Sequence, residues 1–174
     1  VVDYLLTGAE NGVDGFNFHG ALNANCTGYS PLCEVGATHD YSAQPLYYGM
    51  LFTHLLGSGH LIPVTVHTRA VSDYVTAFAL KPLAGGGLRL VVENLTGSHT
   101  TVTLTGIGTA AHASVLHLTG PPSGPAGTGG VRIQGASVAA NGTLKPGAAT
   151  TIKCSSGSCP LALNPYTAVL VSIP

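Results

Sequence analysis

Two polar side chains, Asn17 and His19, alternate with Phe16 and Phe18 in the stretch Gly12-Val13-Asp14-Gly15-Phe16-Asn17-Phe18-His19-Gly20. An amide and an imidazole on one face of an extended segment can orient a polar ligand by hydrogen bonds, and such a histidine serves equally as a structural partner beside a turn. A second set follows at once in Cys26-Thr27-Gly28-Tyr29-Ser30-Pro31-Leu32-Cys33, and a further close pair is Cys154/Cys159 in Cys-Ser-Ser-Gly-Ser-Cys. Neither pair has the spacing of a zinc ribbon or knuckle, and the eight histidines are dispersed. We therefore expect two local disulfides, Cys26–Cys33 and Cys154–Cys159, with reduced thiols as the alternative, and neither a metal nor a cofactor. Disulfides imply an oxidising compartment, hence a secreted protein. The triplets beginning at Asn25, Asn94 and Asn141 are N-glycosylation sequons and fit secretion from a eukaryotic host.

The elements that must position these groups change character near residue 60. Val1, Val2, Leu5, Leu6 and Ala9 form a helical face, and Asn11-Gly12 can cap its end. Residues 13–19 then read as a strand with Phe16 and Phe18 on one side and Asn17 and His19 on the other. Aromatics toward a helix layer and polar groups toward an interior describe a (β/α)₈ barrel strand near its C-terminal end, where side chains point into the active site. Residues 20–43 are a long loop, a length usually functional or disordered, and the cysteine staple with Tyr29 argues for order. From Pro45 to a cap at Gly57 a second helix carries Tyr48, Leu51, Phe52, Leu55 and Leu56 as its apolar stripe, with Tyr47 and Tyr48 as packing residues.

Beyond that helix the period falls to two. Candidate strands are Leu61–Thr68, Tyr74–Lys81, Leu88–Asn94, Thr100–Thr105, Ser114–Leu118, Val131–Gln134, Ala136–Ala139, Thr150–Lys153 and Ala168–Ile173. Short strands separated by Gly-, Pro- and Ser-rich turns indicate an antiparallel sandwich. The expected fold is thus mainly β: residues 1–58 as the last helix-strand-helix portion of a (β/α)₈ barrel, and residues 59–174 as a β-sandwich. A lone barrel strand needs neighbours on both sides. The expectation is accordingly a piece of a larger enzyme, its partner being the missing N-terminal barrel portion.

Composition removes other classes. Charged residues are 7% of the chain and the net charge is −1, with Lys and Arg scattered singly. Nucleic acid and anionic membranes both require clustered cations, so neither is expected as a partner. No run of apolar residues reaches the length of a membrane-spanning helix.

Several motifs, in order, resemble the end of a family 79 glycoside hydrolase, the group of microbial β-glucuronidases related to heparanase. They are Asp3-Tyr4-Leu5-Leu6, the segment Gly12–Gly20, Gly28-Tyr29-Ser30-Pro31 and Gln44-Pro45-Leu46-Tyr47-Tyr48-Gly49-Met50-Leu51-Phe52. Gly135-Ala136-Ser137-Val138, Asn141-Gly142-Thr143 with Pro146, and the closing Pro165–Val171 are similar to that family's C-terminal sandwich. The resemblance implies a retaining β-glucuronidase-like enzyme acting on a carbohydrate of glucuronide type. Retention needs two carboxyl groups about 5–5.5 Å apart, and in the family both glutamates precede the segment seen here. Consistently, Glu10 ends a helix, Glu34 follows the cysteine loop and Glu93 falls in the sandwich, while Asp14 lies on the aromatic side of its strand and Asp40 near the loop. No catalytic residue is therefore expected in this chain. The Gly-Tyr pair that helps hold the uronate carboxylate in the family matches Gly28 and Tyr29, with Asn17 and His19 at the same mouth. Here the loop departs from the family pattern in being flanked by Cys26 and Cys33. The competing classes are a stand-alone carbohydrate-binding sandwich, for which Tyr74, Phe78 and Tyr166 are the aromatic supply, and a purely structural module.

Overall fold

The computed structural model describes residues 1–20, 26, 30–36, 40–67, 74–121, 124, 126–127 and 129–174. In chain order the elements are α1 (Val2–Glu10), β1 (Leu32–Val35), β2 (Asp40–Ala43), α2 (Pro45–Leu56), β3 (Gly59–Ile62), β4 (Val75–Pro82), β5 (Leu88–Asn94), β6 (Thr100–Thr105), β7 (His112–Thr119), β8 (Arg132–Ile133), β9 (Thr150–Lys153), β10 (Ser158–Leu163) and β11 (Thr167–Ile173). The protein is mainly β, and the pairs β1–β2, β3–β4, β4–β5, β5–β11, β6–β10, β7–β8 and β7–β9 are antiparallel. Two compact units emerge: residues 1–55 with 118–147, and residues 56–117 with 148–174.

In the second unit the strands run β3-β4-β5-β11-β7, with β9 beside β7, and β6 pairs β10 as a separate two-stranded sheet. The two sheets share one core. Leu90, Val92, Val169, Val171 and Ile173 from the larger sheet join Leu104, Cys159, Leu161 and Leu163 from the smaller. Strands β5 and β11 are buried on both faces, since Val91 and Leu170, which point the other way, are 0% and 4% exposed. That double burial is why β11 reads as an almost unbroken apolar run rather than an alternating one. The chain passes from the larger sheet to the smaller through Cys154–Cys159, whose disulfide closes a two-residue hairpin turn. Ser155 and Ser158 exchange both backbone hydrogen bonds (2.9 and 3.0 Å), and Ser156 and Gly157 between them have φ of +50° and +74°. Positive φ at both central positions is the mark of a tight hairpin turn whose twist matches its strands.

Two glycines hold close approaches in this unit. Gly57, at φ +80°, follows α2 as expected of a C-cap, and Arg89 Nη1 donates to the Leu56 carbonyl at 2.7 Å where a Cβ on Gly57 would lie. At Gly87, φ is +85° and a Cβ would meet the carbonyl of Ile173, so any other residue strains the start of the β5–β11 pairing.

His117, half-buried on β7, has its imidazole pushed below its ordinary value by loss of hydration. The unfolded chain then binds that proton first, so stability is lost as pH falls below about 6.5 and the unfolded histidine protonates. We expect the denaturation midpoint to drop between pH 7 and 5, and His117→Leu to remove part of that slope. A titration curve unchanged by the substitution would assign the acid sensitivity elsewhere.

Along α2, Tyr48 and Phe52 of the first unit and Leu56, with which the second begins, are buried as one row of the expected stripe, while Leu51 and Leu55 are partly covered. The backbone N–H of Val138 donates to the Tyr48 hydroxyl at 2.8 Å, so Tyr48 packs with its polar tip satisfied. Tyr48→Phe strands that amide and should cost about 1–3 kcal/mol in urea denaturation. The end of β7 pairs with β8 (Leu118↔Ile133, Thr119↔Arg132). Ile133 and Ala136 exchange backbone hydrogen bonds of 3.0 Å around Gln134 and Gly135, whose φ values are +47° and +77°.

Three expected strands are corrected. Of the one expected at Leu61–Thr68, only Leu61 and Ile62 lie in a strand, β3, and residues 63–67 lie in none. Residues 136–139 contribute one isolated bridge, Ile133↔Ala136, because the chain has just spent four residues on a tight turn. Residues 13–19 join no ladder among the described residues, although their alternation survives. A strand is stabilised by the strand beside it, and nothing described here is paired to this one.

Candidate functional site

The arrangement of residues 1–20 follows from the end of α1. Asn11 and Gly12 donate backwards to Thr7, Gly8 and Ala9 carbonyls, Val13 N–H reaches the Gly8 carbonyl at 3.0 Å, and Gly12 takes φ +77°. This Gly cap turns the chain back along its own helix. The Phe16 ring then lies 4.8 Å from that of Tyr4, and Phe18 6.2 Å from it. The first contact is tilted and the second edge-on, both ordinary aromatic geometries. Gly8 leaves the space that the tip of Phe16 fills. With the aromatics committed to α1, the intervening Asn17 and His19 are exposed. Gly8→Val should evict Phe16 from the helix and raise proteolytic cleavage at residues 13–20; an unaltered cleavage pattern would show that the aromatic pairing does not hold the segment.

The long loop is a stapled hairpin at its base. β1 and β2 pair from Leu32↔Ala43 to Val35↔Asp40, and Cys26 is disulfide-bonded to the fully buried Cys33. Both disulfides are therefore those the cysteine spacing led us to expect. Gln44, 8% exposed, donates its Nε2 to Cys33 Sγ at 3.1 Å and its backbone N–H to the Pro31 carbonyl at 2.9 Å. Ser30 Oγ donates to the Leu32 carbonyl at 2.6 Å. The first residues before α2 thus fasten the hairpin and its disulfide together. Gln44 was visible in the sequence only as part of a motif; a buried glutamine immediately before a helix leaves no periodic signal.

Of the four expected binding residues, Asn17 and His19 lie exposed on the segment returning along α1, while Gly28 and Tyr29 lie outside the described residues. The carboxylates are spread over different elements. Glu10 is on α1, Asp14 on the returning segment and Glu93 on β5, where Thr76 Oγ1 donates to its Oε2 at 3.4 Å. Glu34 is opposite Tyr41 and Asp40 opposite Val35, so these two neighbours point to opposite faces of the hairpin. Among the described residues no group of three or more His, Cys, Asp or Glu is arranged to hold a metal ion. No described helix is long and apolar enough to cross a membrane. A depression of about 510 Å³ in the second unit, lined by residues 108–111 and 154–157, carries no titratable side chain.

No protein-family model matches the chain, and no curated protein matches it. Solved structures do. A 4-O-α-L-rhamnosyl-β-D-glucuronidase from Fusarium oxysporum 12S matches 80% of this chain and 32% of its own, with TM-score 0.62 and 18% identity. The GH51 α-L-arabinofuranosidase MgGH51 matches 84% of this chain and 21% of its own (TM-score 0.58, 11% identity). The catalytic domain of GH30 xylanase C from Talaromyces cellulolyticus matches 83% and 27% (TM-score 0.52, 17% identity). This chain thus spans about a fifth to a third of the length of these proteins. Its fold is one found within glycoside hydrolase chains.

Proposed function

We propose that these residues form the C-terminal part of a secreted, retaining glycoside hydrolase of the β-glucuronidase type, related to family 79. In this reading residues 1–58 complete a (β/α)₈ barrel, residues 59–174 form its supporting sandwich, and the loop at residues 20–43 contributes to the sugar pocket. The observation that carries it is the fold likeness to a glucuronide-cleaving enzyme over 80% of the chain. The ordered motifs of the first 52 residues support it, and the two disulfides fit its secretion. Gly28 and Tyr29 are assigned to the uronate carboxylate. A backbone N–H and a phenol O–H are fixed donors, and hydrogen bonds to an ionised acceptor are the stronger kind. Asn17 and His19 stand at the same mouth, both exposed on a segment anchored by its aromatics. The two catalytic carboxylates come from residues outside this chain.

The chain assayed alone on an aryl β-glucuronide gives no turnover. Turnover abolished by replacing one of its own carboxylates would overturn the assignment. In the complete enzyme, Tyr29→Phe raises KM for the aryl β-glucuronide roughly tenfold, the equivalent of one charge-assisted hydrogen bond of about 1.5 kcal/mol. KM for the neutral aryl β-glucoside stays unchanged. Equal effects on both substrates would remove Tyr29 from the carboxylate.

One observation favours a second reading, a sugar-binding sandwich. Phe78 is 4% exposed and out of reach, but Tyr74 and Tyr166 are 65% and 37% exposed. Leu95 N–H donates to the Tyr74 carbonyl (2.9 Å) and Tyr166 N–H to that of Thr96 (3.1 Å), which gathers both tyrosines at one end of the sheet. Retention of the chain on immobilised polysaccharide, lost on Tyr74→Ala with Tyr166→Ala, would establish that role.

A further inference from the structure

Two of the three sequons lie in described residues, and they have the same local geometry. At Asn94 the side-chain Oδ1 accepts from Thr96 N–H at 3.1 Å and from Thr96 Oγ1–H at 2.8 Å. At Asn141 it accepts from Thr143 N–H and Oγ1–H at the same two distances, 3.1 and 2.8 Å. What separates them is the other half of the amide. Asn94 is 0% exposed, and its Nδ2 donates to the carbonyls of Ser98 (2.7 Å) and Asn164 (3.0 Å). Asn141 is exposed, and among the described residues no acceptor takes a hydrogen bond from its Nδ2. It sits on a reverse turn closed by Gly142 N–H to the Ala139 carbonyl (2.8 Å) and Ala139 N–H to the Thr143 carbonyl (2.9 Å), with Gly142 at φ +81°. Residues 139–143 are all exposed, so the turn leaves the amide open to a substituent.

We propose that Asn141 is an N-glycan acceptor of this protein, and that the sequon at Asn94 is a structural staple which carries no glycan in the folded chain. The transfer needs a lipid-pyrophosphate-linked oligosaccharide as co-reactant. Asn141 Nδ2 attacks the anomeric carbon, a C–N bond forms, and the C–O bond to the pyrophosphate breaks. The lipid pyrophosphate leaves with the electron pair, and one amide proton passes to base. The product is a polar, bulky group on an exposed turn, the usual setting of such sugars. A glycan on Asn94 Nδ2 would take the place of one of its two donated hydrogens, break that hydrogen bond, and force a sugar into a site with no accessible surface. The inference rests on the secretory route proposed above only for its occurrence in nature, because the experiment supplies that route.

The chain is expressed with a signal peptide in a eukaryotic host. The secreted protein is treated with an amidase that converts glycosylated Asn to Asp in heavy-oxygen water, and the peptides are weighed. The expected result is labelled Asp at position 141 in most molecules and unmodified Asn94. Asn141→Gln should be secreted as well as the parent and should lose one glycan. An unmodified Asn141 in secreted protein, or a glycan on Asn94 there, overturns the proposal. Translation with microsomal membranes reads the Asn141 arm independently of export: Asn141→Gln must remove one glycan from that product, and an unchanged gel mobility overturns the assignment. The sequon at Asn25 lies outside the described residues, and neither readout depends on it.

Discussion

Asn94→Ala should lower the stability of the second unit by about 3–4 kcal/mol, among the largest single-residue effects in the chain. Asn94 ends β5 at the level where three strands meet, opposite Val75 of β4 and Thr167 of β11. Its side chain is fully buried and makes four hydrogen bonds. Truncation leaves the Thr96 N–H and the carbonyls of Ser98 and Asn164 short of a partner. Two of these losses are softened. Asn164 O still accepts from Thr167 Oγ1 at 2.8 Å, and Ser98 is exposed to water. The remainder is a stranded backbone amide together with a cavity the size of a carboxamide. Asn94→Asp keeps the acceptor half but faces two carbonyls with a buried negative charge. That carboxyl is easier to protonate folded than unfolded, so the variant should gain stability relative to the parent as pH falls from 7 to 4. Urea denaturation followed by circular dichroism measures both. A loss under about 1 kcal/mol for the alanine variant would mean water replaces the amide and the staple is dispensable.

The contrast between Asn94 and Asn141 also shows where a sequence stops being informative. As letters the two sequons are equivalent. Only the fold spends the amide of one on two carbonyls and leaves the other in solvent. Strand alternation behaves the same way. β5, β6 and β9 were legible to the residue, because each is an unambiguous apolar or Thr-rich run closed by turn residues. β10 was hidden by Pro160, which speaks against a strand interior; among the described residues β10 pairs with β6 only, an edge position of the kind that tolerates proline. β1 and β2 were hidden inside a loop whose polar residues carry no period, and their register depends on a covalent staple and on Gln44. The reverse error, residues 13–19, arose because alternation records which face is apolar and not whether a neighbouring strand exists. Beside the candidate site, only the apolar side of residues 13–19 was legible, for the same reason. The Phe16/Phe18 side could be placed against a helix from spacing alone, whereas Asn17 and His19 are exposed and alternation says nothing of what they meet.

Phe52→Ala should cost about 3–5 kcal/mol, the range for emptying a fully buried aromatic site. Phe52 is 0% exposed and shares its helix face with Tyr48 at 5% and Leu56 at 2%. These positions are four residues apart, so they form one ridge along α2. The same helix begins where Gln44 fastens the stapled hairpin: Tyr48 N–H donates to the Gln44 carbonyl at 3.3 Å, and Gln44 in turn holds Cys33 and Pro31. Loosening α2 should therefore expose the Cys26–Cys33 bond and leave Cys154–Cys159, in the other unit, as it was. Measured by dithiothreitol reduction and peptide mapping, Cys26–Cys33 should open several-fold faster in Phe52→Ala, with Phe52→Leu intermediate because it retains most of the buried volume. Unchanged reduction of both disulfides alongside a large loss of stability would mean that α2 and the hairpin respond separately. In the proposed enzyme, a loop fixed at its base by a helix core is how packing far from the sugar would govern its pocket. On that account, the same substitution in the complete protein should raise KM for the glucuronide in step with the faster reduction.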